Sequence, residues 1–443
     1  MNRVTLLICS LLVCAAAHAQ PVRPNILFIM TDDAGYGDFG SYGAPDVRTP
    51  VLDQLARDGV RFTSFYSNGP TCSPTRAGFL SGRYQQRYNV EAPLPTAPRA
   101  QGRGLTAEGH SLPQLLKTAG YRTALIGKWH LGYEADQSPG AHGFDYFFGF
   151  KAGFVDYYQH TNSDGELDLW EQDRTVEEEG YLTDLITARA VRYIEERSSE
   201  PFFLSVQYNA PHWPYQPPGK PSVAARNAAH LQVWEEGAGT RADYVAMLEH
   251  VDQGIGQILN ALENAGIAED TLVIFTNDNG GEWLSRNAPL TNRKFSVWEG
   301  GIRVPAIMRW PGVIPAGRVT DQVGITMDFT ATILAVAGAK LPEGYTPDGI
   351  DLLPIVTGDA EPVERTLFWR AGNASAVRSG DLKLIQQGPQ TFFVFNVRED
   401  PAERNDLTRT SQTDARRLYQ LLQEWHEEMD AEGAQRRPET ETP

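Results

Sequence analysis

Cys72 heads a stretch, Cys72-Ser73-Pro74-Thr75-Arg76, whose residue types can do chemistry. Pro74 suits the first turn of a helix, which puts Cys72 at a helix N-terminus. Free N–H groups and the helix dipole favour anions there, and Arg76 adds a fixed cation one turn on. Read alone, the stretch is either an activated nucleophile beside an anion pocket or an ordinary helix start with a buried cysteine. A second group consists of oxygen donors: Asp32-Asp33 and Asp278-Asn279 each follow an apolar run. Adjacent acids in a loop often only cap turns, but four hard oxygen donors without Cys or His among them suit Ca²⁺ or Mg²⁺ rather than Zn²⁺. Lys128, His130, His212 and Lys294 complete the set. Singly, each reads as a surface charge, a structural hydrogen-bonder or, for His212 between two prolines, a rigid turn residue.

The elements that must position these residues follow from the apolar pattern. Pro24 to Met30 is a continuous apolar run, as in a strand buried on both faces. Thr49-Pro50 opens a helix that Gly59 stops. Further strand-like runs are Thr123–Ile126, Phe202–Val206, Leu272–Phe275 and Val304–Met308, with helical patterns at Leu112–Ala119, Thr183–Glu196 and Tyr244–Ala265. This alternation predicts an α/β fold with a large, mostly parallel sheet sandwiched by helices. Such sheets bind ligands at the carboxyl ends of their strands, where Asp32-Asp33 and Asp278-Asn279 fall. Near residue 355 the pattern changes to four short runs, Leu367–Trp369, Ala374–Arg378, Leu382–Gln386 and Phe392–Asn396, then a helix from Ser411 to Met429. The expected organisation is a catalytic domain over 20–355, a smaller C-terminal α+β unit over 356–432 and a disordered polar tail over 433–443.

Composition bounds the function. The 443 residues are 41% hydrophobic, enough for a large core, and the net charge is −17, unsuited to a general nucleic-acid binder. An anionic substrate would need positive charge gathered locally. Residues 1–19 have a basic start at Arg3, a short apolar run and Ala17-His18-Ala19, the layout of a cleaved signal peptide. The chain is therefore expected to be exported, periplasmic or secreted, with no membrane span after cleavage. Of its three cysteines, Cys9 and Cys14 lie in that segment. Cys72 would be left without a partner in an oxidising compartment, where cysteines usually pair.

Cys72-x-Pro74-x-Arg76 followed by Leu80-Ser81-Gly82-Arg83 resembles the signature of the formylglycine-dependent (type I) sulfatases, arylsulfatase-like members of the alkaline-phosphatase superfamily. The similarity recurs, in order, at Asp32-Asp33, Gly127-Lys128-Trp129-His130, His142-Gly143-Phe144-Asp145, Pro211-His212-Trp213-Pro214, Asn277-Asp278-Asn279-Gly280, Lys294 and Trp298-Glu299-Gly300-Gly301. It continues into Asp381-Leu382-Lys383-Leu384 and Asp400-Pro401-Ala402-Glu403.

The resemblance implies that Cys72 is converted to formylglycine by a formylglycine-generating enzyme, which explains a lone exported cysteine. It implies a divalent metal, Ca²⁺ before Mg²⁺, held by Asp32, Asp33, Cys72, Asp278 and Asn279. Cys72, Arg76, Lys128, His130, His212 and Lys294 form the implied catalytic set. One hydroxyl of the hydrated aldehyde, with Asp278 as its base, attacks sulfur. Arg76 and the lysines stabilise sulfuryl oxygens, His212 and Lys294 assist the departing alcohol, and His130 takes a proton from the second hydroxyl. The implied substrate is a sulfate monoester, expected to be a sulfated carbohydrate. A phosphodiester or phosphonate monoester hydrolase and a non-catalytic glycan binder are the alternatives. Arg303 is ambiguous, and Trp129, Trp213 and Trp298 read as packing. Thr291-Asn292 stands where relatives often have Arg-Gly and is expected to alter a neighbouring substrate subsite. Asn277, often Ser in relatives, is expected to matter little. Specificity is expected in Phe154–Gly180 and Pro217–Thr240.

Overall fold

The computed structural model describes residues 23–97, 99–196, 199–221 and 239–436. The expected signal peptide over 1–19 lies outside them, as do 222–238 of the expected specificity segment and 437–443 of the expected tail.

The first apolar run forms the strand Asn25–Thr31 at the centre of a ten-stranded sheet. Thr271–Asn277 and Phe202–Gln207 pair with it in parallel on its two sides, and Arg122–Lys128 pairs in parallel with the latter. Five of the sheet's nine pairings are parallel, so the sheet is mixed but mostly parallel. Successive side chains of a strand point to opposite faces. Accordingly Ile26, Phe28 and Met30 enter one core, while Leu27 and Ile29 enter the other. The helices Pro50–Asp58, Leu182–Glu195 and Arg241–Asn264 cover one face. Cys72–Ser81, Leu112–Thr118 and Thr326–Ala337 cover the other. Phe28 stacks on Phe79 with ring centroids 3.9 Å apart, which fixes the Cys72 helix to the central strand.

One strand runs against expectation for a parallel sheet. Ala306–Arg309 is antiparallel to both Thr271–Asn277 and Val60–Phe62. The segment 278–305 leaves and re-enters the sheet at the same edge without a crossover helix, so the next strand must run back. The strands Val60–Phe62 and Tyr146–Phe150 and the helix Thr326–Ala337 carry no clear periodic signal and were not anticipated.

The four late runs form an antiparallel meander: Thr366–Ala371, Ala374–Ser379, Leu382–Gln387 and Thr391–Asn396. The last helix, Gln412–Gln435, packs Leu418, Leu422, Trp425 and Met429 on it. That helix runs beyond Met429 and takes in Gly433, where the tail was expected to begin. Arg87 bridges to Glu428 at 2.6 Å and to Glu432, and Asn89 Nδ2 donates to the Gly433 carbonyl at 2.9 Å, which hold the extra turn.

A buried ionic junction ties the meander to the large sheet. Lys383 Nζ lies 2.9 Å from both Glu299 Oε1 and Glu403 Oε1. Glu299 also accepts from Tyr66 Oη at 2.7 Å and pairs with Arg303 at 3.2 Å, and its backbone N–H donates to Glu403. Burial would raise the Glu299 carboxyl, but Lys383 and Arg303 outweigh it and bring it to about 2. Removing one member of such a cluster leaves an uncompensated buried charge. Lys383→Met is therefore expected to lower stability by about 3–5 kcal/mol. Denaturant unfolding measures this, and a loss below about 1 kcal/mol would contradict the account.

Candidate active site

The parallel register assembles the site. Thr31 and Asn277 are partners at the ends of adjacent strands, so Asp32-Asp33 and Asp278-Asn279 leave the sheet side by side. Thr31 Oγ1 donates to Asn277 Oδ1 at 2.8 Å, and Asn277 Nδ2 donates to the Ala34 carbonyl at 2.8 Å. Asn277 thus stitches the two loops together, a larger role than expected for a substitute of Ser. Lys128 ends the strand one beyond Phe202–Gln207, and Gly127 before it has φ +117°. A Cβ there would sit 1.9 Å from the Gln207 carbonyl oxygen, so only glycine permits the close strand approach.

Cys72 is the first residue of its helix, as Pro74 predicts. Its Sγ lies 3.7 Å from Asp32 Oδ1. Burial pushes the thiol up to about 12, against the pull of Lys128 and Lys294, which favours the buried cysteine of the two readings open for an unmodified Cys72.

Three carboxylates face three cations around it. Lys128 Nζ bonds Asp32 Oδ2, and Lys294 Nζ is 2.7 Å from Asp33 Oδ2. Arg76 Nη2 is 3.0 Å from Asp278 Oδ2 and 3.8 Å from Asp32 Oδ2. Its Nη1 donates to Gln207 Oε1 at 2.8 Å and to the Lys128 carbonyl at 3.3 Å. Arg76 therefore grips the carboxylates rather than presenting both terminal nitrogens to a ligand. Burial would raise Asp33, but Lys294 outweighs it and holds the carboxyl well below the usual range. Asp278 goes the other way, raised to about 7 by burial and the neighbouring Asp32.

The histidines are anchored at one nitrogen each. His212 Nδ1 bonds the Trp213 carbonyl, which can only accept, so Nδ1 carries a hydrogen. Its Nε2 lies 3.4 Å from Asp33 Oδ2, and burial lowers its pKa to about 3. The ring stacks on Phe154 at 5.6 Å. His130, at φ +53°, bonds the Leu94 carbonyl through Nε2 at 2.9 Å. Its Nδ1 is buried without a partner among the described residues, and burial lowers this pKa too.

The site fits a divalent cation. Ligand atoms of Asp32, Asp33, Cys72 and His212 lie within 4.8 Å of one another. Asn279 Nδ2 donates to Asp33 Oδ1 at 2.8 Å, while its Oδ1 is buried with no partner among the described residues, an acceptor suited to a cation. His212 belongs to this cluster, which sequence reasoning had given to the oxygen donors and Cys72.

Two residues at the site were missed. Gln207 orients Arg76, and Glu282, nearly buried, lies 3.9 Å from Lys294 Nζ. Glu282 follows two glycines after Asn279, a position with no chemical signal of its own. Arg303 lies outside the cluster, bonding the Thr63 carbonyl and Glu299. Trp129 and Trp213 are buried, and Trp298 packs on Phe393 and Phe395, as expected of packing residues.

Comparisons with known proteins show the family and the fold. The Sulfatase family model matches residues 24–339, and the model described as N-sulphoglucosamine sulphohydrolase, C-terminal, matches residues 291–432. The chain is 37% identical over 408 residues to N-acetylgalactosamine-6-sulfatase of Mus musculus, covering 86% of this chain and 75% of that protein. It is 29% identical to steryl-sulfatase of Homo sapiens, over 94% of this chain and 89% of that one. The structure of Ps i-CgsB in complex with k-i-k-neocarrahexaose superposes with a TM-score of 0.82 at 29% identity, covering 91% of this chain and 92% of that chain. Phosphonate monoester hydrolase of Agrobacterium radiobacter shares the fold, with a TM-score of 0.65 at 20% identity over 94% of this chain and 96% of that chain. The protein belongs to the sulfatase family and is a sulfuric ester hydrolase.

Proposed function

We propose that this sulfatase is exported, periplasmic or secreted, and hydrolyses sulfate monoesters of a sulfated carbohydrate. The nucleophile is formylglycine derived from Cys72 by a formylglycine-generating enzyme, and the metal is Ca²⁺, with Mg²⁺ as the alternative. The observation that carries this reading is the single buried cluster that gathers Cys72, Asp32, Asp33 and His212 with Lys128 and Lys294 in a strongly acidic chain. Relatives that act on or bind sugars, an N-acetylgalactosamine-6-sulfatase and a protein solved with a neocarrahexaose, support the carbohydrate.

Each side chain has a task. Asp32, Asp33, Asp278 and Asn279 would hold the metal beside residue 72, where it supplies positive charge to the sulfuryl oxygens. Lys128 and Lys294 add fixed charge to the same oxygens. Arg76 is a positioning residue, since it holds Asp278 and Asp32 in place. Asp278 is the base for the attacking hydroxyl. With Nδ1 anchored, His212 exchanges a proton at Nε2, where a bound anionic ester would raise its low proton affinity, and it serves the departing alcohol together with Lys294. His130 accepts a proton at Nδ1, the ring atom left without a partner.

Three outcomes test this reading. In active protein, intact mass should show the Cys72 thiol replaced by an aldehyde or its hydrate. Cys72→Ala should abolish turnover while circular dichroism stays native, and an active Cys72→Ala protein would refute the mechanism. Chelation should abolish activity, with Ca²⁺ or Mg²⁺ restoring it better than Zn²⁺; full activity in protein shown metal-free by elemental analysis would remove the metal. His212→Ala should slow a sugar sulfate, whose alkoxide leaves poorly, by ~10²–10⁴-fold and an activated aryl sulfate much less. Lys128→Ala should slow both alike in kcat/KM. Equal losses on both esters in His212→Ala would pass the acid role to Lys294.

A further inference from the structure

One residue between two prolines touches both the neighbour of Cys72 and His130. In Pro93-Leu94-Pro95 only Leu94 carries a backbone N–H, since proline has none. That N–H donates to Ser73 Oγ at 3.0 Å. The Leu94 carbonyl in turn accepts from His130 Nε2 at 2.9 Å. Ser73 is fully buried and follows Cys72 directly in the first turn of its helix. Two hydrogen bonds through the backbone of Leu94 therefore join residue 73 to the His130 ring.

The parts of this chain are stiff. Each proline fixes its own φ near about −65°, and Pro95 confines Leu94 to extended backbone. The strap is fastened on both sides of Leu94. Glu91 Oε2 accepts from Arg370 Nε at 2.7 Å, and Arg99 Nη2 donates to Asp164 Oδ1 at 3.0 Å. The backbone around His130 is held as firmly. The Trp129 N–H donates to the Phe150 carbonyl at 2.9 Å, and the Leu131 carbonyl accepts from the Leu105 N–H at 2.8 Å. His130 itself has φ +53°, a conformation that persists in a residue with a side chain where the surroundings impose it. Gly153 lies against the ring: a Cβ there would sit 2.9 Å from both His130 Cε1 and Nε2, so a side chain would displace the imidazole. A carbonyl can only accept, so Leu94 fixes the hydrogen on Nε2 and leaves Nδ1 its lone pair.

We infer that Ser73 is a positioning residue for the second half of the reaction: through Leu94 it keeps His130 Nδ1 directed at the hydroxyl of residue 72 that carries no sulfate. The inference rests on the role given to His130 above. In that half the proton of the free hydroxyl passes to Nδ1, and the electron pair of its O–H bond becomes the second bond of the aldehyde carbonyl. The bond from carbon to the sulfate oxygen breaks, and sulfate leaves with that pair. Ser73 exchanges no proton in the step. Because residues 72 and 73 are consecutive on one helix, the base is referenced to the group it serves, and small movements of the helix carry both together.

Stopped-flow kinetics with 4-nitrophenyl sulfate separate the two halves, since nitrophenol leaves in the first and sulfate in the second. The enzyme is the full chain with its Cys72 conversion verified by intact mass. In Ser73→Ala the first equivalent of nitrophenol should appear within about twofold of the wild-type rate, and steady turnover should then fall about tenfold, as for one buried hydrogen bond. His130→Ala should show the same burst with steady turnover lowered ~10²–10⁴-fold. Adding Ser73→Ala to His130→Ala should cost less than about twofold more, because nothing remains to be positioned. Leu94→Pro removes the N–H but leaves 72–83 intact, and should reproduce Ser73→Ala even if Ser73→Ala escapes conversion. A readout independent of turnover is the His130 ring signal in protein labelled with nitrogen-15 histidine, identified by its loss in His130→Ala. It should report the tautomer protonated at Nε2, and Ser73→Ala should mix in the other. Equal losses in burst and steady turnover, full additivity with His130→Ala, or an unchanged ring signal would overturn the inference alone. Absence of a burst in His130→Ala would overturn the release role of His130, and this inference with it.

Discussion

Three carboxylates with almost no solvent access, Asp32, Asp33 and Asp278, sit at the edge of one sheet, and the structure depends on neutralising them. Each buried and unpaired carboxylate would cost several kcal/mol. Lys128, Lys294 and Arg76 answer them, and these cations come from a strand end, a long return segment and a helix. None of those elements can shift without exposing a charge to a medium of low dielectric. Cys72, both lysines and the buried carboxylates are therefore held by one electrostatic balance. A divalent cation would tip that balance positive, which is the sign an anionic ester requires.

The C-terminal meander acts on the same balance at a distance. Lys383 and Glu403 clasp Glu299, while Thr291 bonds the carbonyl of Ala402, so the segment that carries Lys294 is fastened at both ends to the small sheet. This explains why similarity to the family continues past the catalytic residues into Lys383 and Glu403. Those positions touch no reacting atom. They hold the stretch from which Lys294 projects.

Much of the fold was legible because buried strands write continuous apolar runs, as in Pro24–Met30, and because Pro50 and Pro74 mark helix starts. The carboxyl-edge placement of Asp32 and Asp278 followed from that reading. What escaped detection depended on tertiary context. Val60–Phe62 is too short to show a period, and the direction of Ala306–Arg309 is set by where its incoming segment happens to lie. Gln207 and Glu282 carry no motif, and only the folded chain brings them to Arg76 and Lys294. The helix-terminal position of Cys72 was read correctly, while the choice between an activated and a buried cysteine stayed open, because periodicity reports a helix start and says nothing of the desolvation around it.

The burial of Cys72 has a consequence in time. The thiol is 2% exposed, beneath loops whose closing hydrogen bond joins residues 246 positions apart, Thr31 and Asn277. No enzyme can reach that sulfur once the second of those residues has arrived and the sheet has closed. The conversion proposed for it would therefore fall in the interval when 72–83 has been made and Thr271–Asn277 has not yet docked. Faster folding would shorten that interval, so the long separation between the two halves of the site would keep the maturation window open.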